Sequence, residues 1–320
     1  MATAWAHTNI ALVKYWGKRP SSAGLNLPAT GSLSMALDGF GTQTTVELSD
    51  KEQDTFTLDD ETITNDVRVS AFLDLVRALV KRSERARVTS RNQVPTAAGL
   101  ASSASAFAAL ALAATEAFGV ALCERDLSML ARQGSGSAAR SVFGGFVLMH
   151  KGCRDDGTDC YAEPLATTLQ ARLVVVRCAT GKKATASRAG MEHARATSPM
   201  FAPWVDSHQQ DLDDAIAALT VADLEKLGDV MEFSTHKMHA TTFTARPAFW
   251  YWNPVTLAIL GEVKALRARG TGAWATMDAG PHVKVLCAPA DAADIASHLA
   301  QLSGVVGVDV AGPGGPAHLL

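Results

Sequence analysis

Residues 92–115 contain no charged side chain, and an uncharged stretch of that length is either a membrane span or an element buried on most of its faces. Its composition decides between the two. Alanine, serine and glycine dominate, Pro95 and Gly99 stand inside it, and alanine contributes far less to bilayer insertion than leucine or isoleucine. The stretch therefore reads as a loop of small residues followed by a buried helix, residues 102–118, stopped by Gly119, which suits a left-handed C-terminal position. A helix without a polar face needs layers packed around it, and 320 residues, 48% of them hydrophobic, provide that core. Charged residues make up only 19%, a composition that excludes a disordered chain.

Hydrophobic periodicity places the other elements. Alternation over residues 2–12, 32–58 and 85–92 predicts strands, with a polar turn at 20–24. Val69, Phe72, Leu73, Val76, Leu79 and Val80 recur at helical spacing and predict a helix over 67–82. A short helix over 126–132 and a strand over 144–150 follow, and the three successive valines in 173–177 predict a strand buried on both faces. Longer helices are expected at 187–197, 201–220, 221–238 and 255–269. Strands at 273–278 and 283–288 flank Ala279-Gly280-Pro281, and a helix at 290–302 and a strand at 305–310 end the chain. The segregation of strands and helices predicts an α+β fold in layers, divided into residues 1–180 and 181–320.

The 29 basic and 32 acidic residues give a net charge of −3, so there is no excess positive field for a nucleic acid. Any anion must be held by a few placed groups. Cys123, Cys153, Cys160, Cys178 and Cys287 are odd in number, form no C-x-x-C pair and have no histidine at zinc-finger spacing, which points to a reduced, cytoplasmic compartment. Residues 1–18 have cations only near their end and no long apolar core, so no secretory signal is expected there.

Four segments carry chemistry. Residues 95–105 form a small-residue loop entering a helix, where backbone N–H groups and the helix dipole favour phosphate. The loop lacks the lysine of a Walker motif, and an alanine-rich helix with an ordinary serine cap is the competing reading. Residues 134–141 form a second glycine-serine loop, carrying Ser135, Ser137 and Arg140; hydroxyls suit phosphate and a guanidinium fork suits a carboxylate, while a flexible turn with a solvated arginine is the alternative. Lys14-Tyr15-Trp16-Gly17-Lys18 sets two ammonium groups beside two aromatics, positioned either for a diphosphate or for solvent. Asp278 sits in the turn of an apolar hairpin, as a general base or electrostatic stabiliser, or simply as a turn residue. His236 and His239 are three apart on a helix with no acidic partner, and no metal is expected there.

Together these segments resemble the GHMP kinase superfamily and, within it, the mevalonate diphosphate decarboxylases. The family motif N-I-A-x-x-K-Y-W-G-K is met by residues 9–18, followed by Leu25-Asn26-Leu27-Pro28; the phosphate loop P-T-A-A-G-L-A-S-S-A by residues 95–104; and G-S-G-S-A-C-R-S by residues 134–141, with Ala139 in place of cysteine. The T-S-P, M-H-A and D-A-G-P-N elements appear at 197–199, 238–240 and 278–282, with His282 in place of asparagine. The matches run along almost the whole chain in the family's order.

The resemblance implies a GHMP kinase fold, in which an N-terminal domain resembling a ribosomal-protein domain and a ferredoxin-like C-terminal domain enclose a cleft. It also implies a cytoplasmic homodimer that decarboxylates (R)-5-diphosphomevalonate to isopentenyl diphosphate with ATP and Mg²⁺, releasing ADP, phosphate and CO₂. On that pattern Asp278, Arg140 and Lys14 are catalytic. Asp278 orients or deprotonates the tertiary hydroxyl and stabilises the cation, and Arg140 holds the carboxylate. Lys14, Tyr15, Lys18 and Ser135 hold the diphosphate, and Ser198 lies near the substrate. Pro95, Ala98, Gly99, Leu100, Ala101, Ser102, Ser103 and Ser105 cradle the ATP phosphates with Ser137 beside them, and the metal arrives with ATP. Relatives of the same fold act on mevalonate carrying fewer phosphates, as phosphomevalonate decarboxylases or mevalonate 3-kinases. Lys18, placed where a second phosphate finds its cation, and Asp278 favour the decarboxylase of the diphosphate, and the presence of both Asp278 and Arg140 disfavours a non-catalytic phosphometabolite sensor.

Overall fold

The computed structural model describes residues 1–19, 24–63, 66–93, 102–178 and 185–320. Strands β1 (Ala2–Val13) and β2 (Ser32–Ser49) pair antiparallel along nearly their whole length, from Ala2 opposite Val46 to Val13 opposite Leu33. After β3 (Thr55–Leu58), β4 (Glu61–Ile63) and helix α1 (Val67–Val80) comes β5 (Arg85–Gln93). It is followed by α2 (Ser102–Phe118), α3 (Glu124–Gly134), a 3₁₀ helix (Gly136–Val142), β6 (Phe146–Met149) and β7 (Ala162–Leu165). The far edge of β2 is shared, its second half pairing with β5 and its first four residues with β6.

The uncharged stretch does what its composition requires. Ala104, Ala108, Ala109, Ala111, Ala113 and Ala114 of α2 are fully buried, and their small side chains let the helix lie close against β1 and β2. Among the described residues no helix is long and apolar enough to cross a membrane, and all five cysteines are free.

The second half opens with β8 (Arg172–Arg177), followed by α4 (Ser187–Thr197), α5 (Phe201–Thr220), α6 (Leu224–Phe243) and α7 (Pro254–Ala268). Strands β9 (Ala273–Met277) and β10 (Val283–Cys287), helix α8 (Ala292–Ala300) and β11 (Gly307–Ala311) complete it, and β12 (His318–Leu319) returns to pair with β1. The sheet order β11-β8-β10-β9, antiparallel throughout, is that of a ferredoxin-like unit with extra helices between its first two strands. Strand β8 lies before residue 180 yet pairs in this sheet.

Several elements differ from their expected extents for local reasons. The aspartate side chain of Asp223 accepts from Lys226 N–H and starts α6 three residues later than periodicity suggests. Asn253 and Thr256 form a capping box behind Pro254 and set the start of α7. The glycine-serine segment after α3 winds into a 3₁₀ helix, because Ala138 and Ala139, both fully buried, are small enough for its tight turns. Strands β7 and β12 were not expected, being short.

Alternation in β8 assigns the packing. Leu173 and Val175 join Ile10, Leu12, Leu33, Met35, Leu212 and Leu286 in a core shared by both sheets and α5, whereas Val174 and Val176 face α7 and α8 on the other side. Because that shared core joins the two halves, Leu173→Ala is expected to cost about 2–5 kcal/mol. Urea unfolding is expected to stay a single transition, coincident by fluorescence and circular dichroism. Two separated transitions would show that the halves unfold independently.

Candidate active site

Asp278 is the first residue beyond β9, and Gly280 N–H closes the turn on its carbonyl oxygen at 2.7 Å. Two ammonium groups hold its carboxylate, Lys14 Nζ donating to Oδ1 at 2.7 Å and Lys284 Nζ to Oδ2 at 3.0 Å. The two lysine side chains are 1% and 3% exposed, against 32% for the aspartate, so the cations are enclosed and the anion faces the cleft. Lys14 also donates from Nζ to Ala11 O and from its backbone N–H to Ser234 Oγ. Burial pulls the Lys14 ammonium down to about 8 against the attraction of Asp278. Burial alone would raise the Asp278 carboxyl, but the charges of Lys14 and Lys284 overcome it and hold the group well below the usual carboxylate range.

Arg140, on the 3₁₀ helix, is 2% exposed. Its Nε donates to Asn9 Oδ1 at 3.2 Å and its Nη1 to Ser32 Oγ at 2.7 Å. Asn9 is fixed in turn by donating to Ser141 Oγ and Ser137 O. These acceptors are neutral, and no carboxylate pairs with Arg140 among the described residues; burial pulls it down to about 10. The guanidinium carbon stands 5.5 Å from the centre of the Tyr15 ring. The Tyr15 hydroxyl is buried with no partner among the described residues, and burial pushes it up to about 12, so it is a donor awaiting an acceptor.

Lys18 reaches Asn26 Oδ1. Asn26, in the left-handed region at φ 54°, donates to the carbonyls of Arg132 and Gln133 at 3.1 and 2.7 Å, tying Lys18 to the end of α3. Burial lowers Lys18 to about 8, and the charges of Arg188 and Arg68 add to the effect. Ser135 Oγ lies 3.2 Å from Ser137 Oγ and 3.4 Å from Ser103 Oγ, a row of hydroxyls at the start of α2.

These groups line a cleft of about 420 Å³ that takes in Tyr15, Lys18, Ser103, Ser135, Ser137, Arg140 and Asp278. The fold thus gathers residues from all four chemical segments; of residues 95–105, Ser103 is the one that lines the cleft among the described residues. Ser105 lies deeper, with its hydroxyl on Thr8 and Thr42. Pro95, Ala98, Gly99, Leu100 and Ala101 lie outside the described residues, as does the side chain of Ser102. Lys14 is committed to Asp278 and does not line the cleft. Ser198 caps the far end of α4, bonded to Thr244 Oγ1 at 2.8 Å, whereas Ser187 and Arg188, at the near end of the same helix, line the cleft.

Asn9, Arg68, Ser187, Arg188 and Lys284 are additions to the residues expected from sequence. The signal for Lys284 was available, a lysine interrupting the apolar run of β10. His282 does not touch Asp278: its Nδ1 accepts from Cys178 N–H at 3.1 Å, and burial keeps it neutral by lowering it to about 4. His239 is fully buried beside the Trp252 ring, and burial, with Lys14 nearby, lowers it to about 3. A second pocket of about 180 Å³, lined by Phe56, Leu58, Ile63, Val69, Phe107 and Leu110 together with Asp66, Ser90 and Asn92, shares Arg68 and Ser103 with the main cleft.

Residues 6–162 match the family described as diphosphomevalonate decarboxylase-like N-terminal domain, and residues 173–307 match the mevalonate 5-diphosphate decarboxylase C-terminal domain. The chain belongs to the diphosphomevalonate decarboxylase family. The diphosphomevalonate decarboxylase of Gibberella zeae is 34% identical over 96% of this chain and 86% of its own length. The phosphomevalonate decarboxylase of Haloferax volcanii is 33% identical over 100% and 97%. A solved structure described as MDDEF in complex with MVAPP, AMPPCP and magnesium superposes with a TM-score of 0.93 at 38% identity, covering 100% of this chain and 98% of that one. The α+β architecture is therefore that of the decarboxylase family and its GHMP-type fold.

Gly136 forms the wall of the cleft behind Tyr15, and a Cβ there would stand 2.1 Å from the Tyr15 hydroxyl oxygen and 2.7 Å from its ring carbon. Gly136→Ala is expected to destabilise the protein by about 1–3 kcal/mol through overpacking. In a Tyr15→Phe background the loss is expected to be smaller, because the nearest clashing atom is gone. Equal losses in the two backgrounds, measured by urea denaturation, would place the strain elsewhere.

Proposed function

We propose that this decarboxylase-family chain converts (R)-5-diphosphomevalonate and MgATP to isopentenyl diphosphate, ADP, phosphate and CO₂. The observation that carries the reading is a cleft in which an ionised carboxylate held by two lysines accompanies a buried guanidinium whose hydrogen-bond partners among the described residues are neutral. A tertiary hydroxyl is a poor leaving group, so transfer of the γ-phosphoryl to its oxygen comes first. The transition state of that step is loose and gains more from positioning than from strong base. Asp278, ionised and weakly basic, accepts the hydrogen bond of the hydroxyl and aims it; as the O–P bond forms and the bond to ADP breaks, the hydroxyl proton passes to an oxygen of the transferred phosphoryl group, leaving the carboxylate ionised. When the phosphate departs, cationic character develops on the carbon, and the same carboxylate opposes it electrostatically. Arg140 holds the substrate carboxylate until CO₂ is lost.

Lys18, the Tyr15 hydroxyl, Ser135 and Arg188 supply the cations and donors for the diphosphate. The 180 Å³ pocket, with apolar walls and the polar side chains of Ser90 and Asn92, suits the adenine base. Ser103, at the start of α2 and common to both cavities, lies on the path of the ATP phosphates with Ser137 beside them, where the helix dipole favours negative charge. The residues fit a magnesium ion delivered on those phosphates: the cleft offers serine hydroxyls, both oxygens of Asp278 are taken by lysines, and no group of three acidic, histidine or cysteine ligands occurs among the described residues. The relative with bound MVAPP, AMPPCP and magnesium supports this choice of ligands. The same proposal has an ATP-binding unit over residues 1–180, with β8 lent to the sheet of residues 181–320, and a cytoplasmic homodimer. The free cysteines support a reducing location.

The test is CO₂ and ADP release from MgATP with mevalonate, its 5-phosphate or its 5-diphosphate. CO₂ is expected with the diphosphate alone. Release with the monophosphate would move the chain toward the activity named for the Haloferax relative, and ADP without CO₂ would make it a kinase. Asp278→Asn is expected to keep the fold and ATP binding while lowering CO₂ release by roughly a hundred- to a thousand-fold or more.

The acidity of Lys18 in the cleft and of Lys14 behind Asp278 gives a separate test. Burial sets Lys14 and Lys18 at about 8 in the free protein, so raising the pH through that value removes positive charge from around an anionic substrate. The kcat/KM, which reports groups of the free enzyme, is expected to fall on the alkaline side with a limb near pH 8. For kcat the limb is expected higher, since bound phosphates favour the ammonium forms. A flat kcat/KM across that range would remove both lysines from the roles given them.

A further inference from the structure

Lys284 is buried on the central face of the second sheet, where it shares the Asp278 carboxylate with Lys14. Strand β10 alternates strictly: Val283, Val285 and Cys287 enter the core under α7 and α8, while Lys284 and Leu286 point the other way, Leu286 into the core shared by the two sheets. A leucine or valine at 284 would continue that apolar face. A lysine there carries the cost of burying an ammonium, which only a well-made ion pair offsets, and Asp278 is its one ion-pair partner among the described residues.

The hairpin explains how the two meet. Lys284 lies opposite Thr276 in the β9–β10 register, and Asp278 is two residues beyond Thr276, on the same face and diagonal to Lys284. Thr276 itself is fixed by a 2.9 Å hydrogen bond between its hydroxyl and that of Thr235 on α6. The two cations on Asp278 therefore have different origins. Lys14 directly follows β1 of the first sheet, and its hold depends on the two sheets keeping their relative position; Lys284 belongs to the same hairpin as the carboxylate.

We propose that Lys284 is a positioning residue for phosphoryl transfer: by clamping Oδ2 from within the hairpin, it keeps Asp278 ionised and aimed at the substrate hydroxyl independently of Lys14. The inference rests on the decarboxylase reading for the reaction that Asp278 serves. Lys284 acts through the carboxylate, which has one oxygen on each lysine, so removing Lys284 frees the group to turn about its terminal torsion as well as weakening its field. Among the described residues, the other charged or titratable groups that bear on Asp278 are Lys14 just after β1, Arg140 from the 3₁₀ helix and His239 from α6. His239 is neutral through burial, and none is a second carboxylate, so the loss of Lys284 must act to make Asp278 easier to protonate.

The experiment compares Lys284→Met, of similar length, and Lys284→Arg with the wild type. Protein labelled with ¹³C at the aspartate carboxyl carbons is titrated by NMR, the Asp278 signal being identified by its loss in Asp278→Asn, and pH profiles of CO₂ release are taken alongside. In Lys284→Met the Asp278 titration and the acid limb of kcat/KM are expected to move upward by about one to three pH units. The kcat is expected to drop about tenfold or more, with KM for ATP within about twofold of wild type, and Lys284→Arg is expected to restore most of both. Should the methionine variant not fold, Lys284→Gln keeps a donor and removes the charge, and the same upward movement is expected of it. An Asp278 titration and acid limb that stay in place, with kcat within about twofold, would reduce Lys284 to a structural residue and overturn the proposal. The NMR titration needs no turnover, so a wild type that releases no CO₂ while Asp278 still shifts in the variant would sink the reaction and leave the clamp standing.

Discussion

The ion pair between Lys14 and Asp278 joins the residue that follows β1 in one sheet to the turn of a hairpin in the other, and so ties the two halves of the site together. A buried ion pair adds little net stability, because desolvation offsets most of the attraction. The position of its partners must therefore be enforced by other forces. The shared apolar core enforces it: Ile10, Leu12, Leu33 and Met35 from the first sheet pack with Leu173, Val175 and Leu286 from the second, and the gain from burying them fixes the distance across which the lysine reaches. The polar site is in this sense set by apolar packing beside it. Ser234 on α6 adds direction, since it takes the backbone N–H of Lys14 and so orients the end of β1.

Much of this architecture is legible in the chain because periodicity reports burial. The uncharged alanine run predicts α2, and the three valines of β8 predict a strand covered on both faces, as found. Extents are less legible where a single side chain decides them: Asp223 delays α6 by capping it, which no periodicity shows. The segment 136–142 reads as a loop, since glycine, serine and alanine are the residues both of loops and of a tightly wound buried turn, and only its neighbours distinguish the two. For the site, Asp278, Arg140, Tyr15 and Lys18 are visible through their motifs. Arg68 and Arg188 are not, because each lies in the first turn of its own helix, far apart in sequence, and the fold alone brings them to one cleft. Ser198 shows the reverse: a recognisable motif lies at the end of α4 away from the cleft, while Ser187 at the other end lines it. Lys284 was legible by parity within β10, but a lone lysine in an alternating strand is ordinarily assigned to solvent.

The arrangement around Arg140 differs in kind from that around Asp278. The carboxylate is matched by opposite charge, while the guanidinium is held by an amide oxygen and a hydroxyl, which orient it without neutralising it. Its positive charge is thus kept in a desolvated setting, available to an incoming anion at close range. Tyr15 completes the setting from the side, its ring against the guanidinium and its hydroxyl without a partner among the described residues.

This neutral cradle bears on how the reaction ends. On the proposed chemistry the substrate brings Arg140 a carboxylate, whereas isopentenyl diphosphate does not, since that group has left as CO₂. The product keeps its diphosphate and hence its hold on the cleft cations, but the buried guanidinium opposite its carbon skeleton is again without an anion, a state that is costly out of water. The empty cleft carries the same cost, so the pairing is a gain that the substrate complex has and the product complex lacks. Arg140 so distinguishes the molecule before reaction from the molecule after it, and biases the enzyme toward letting the second go.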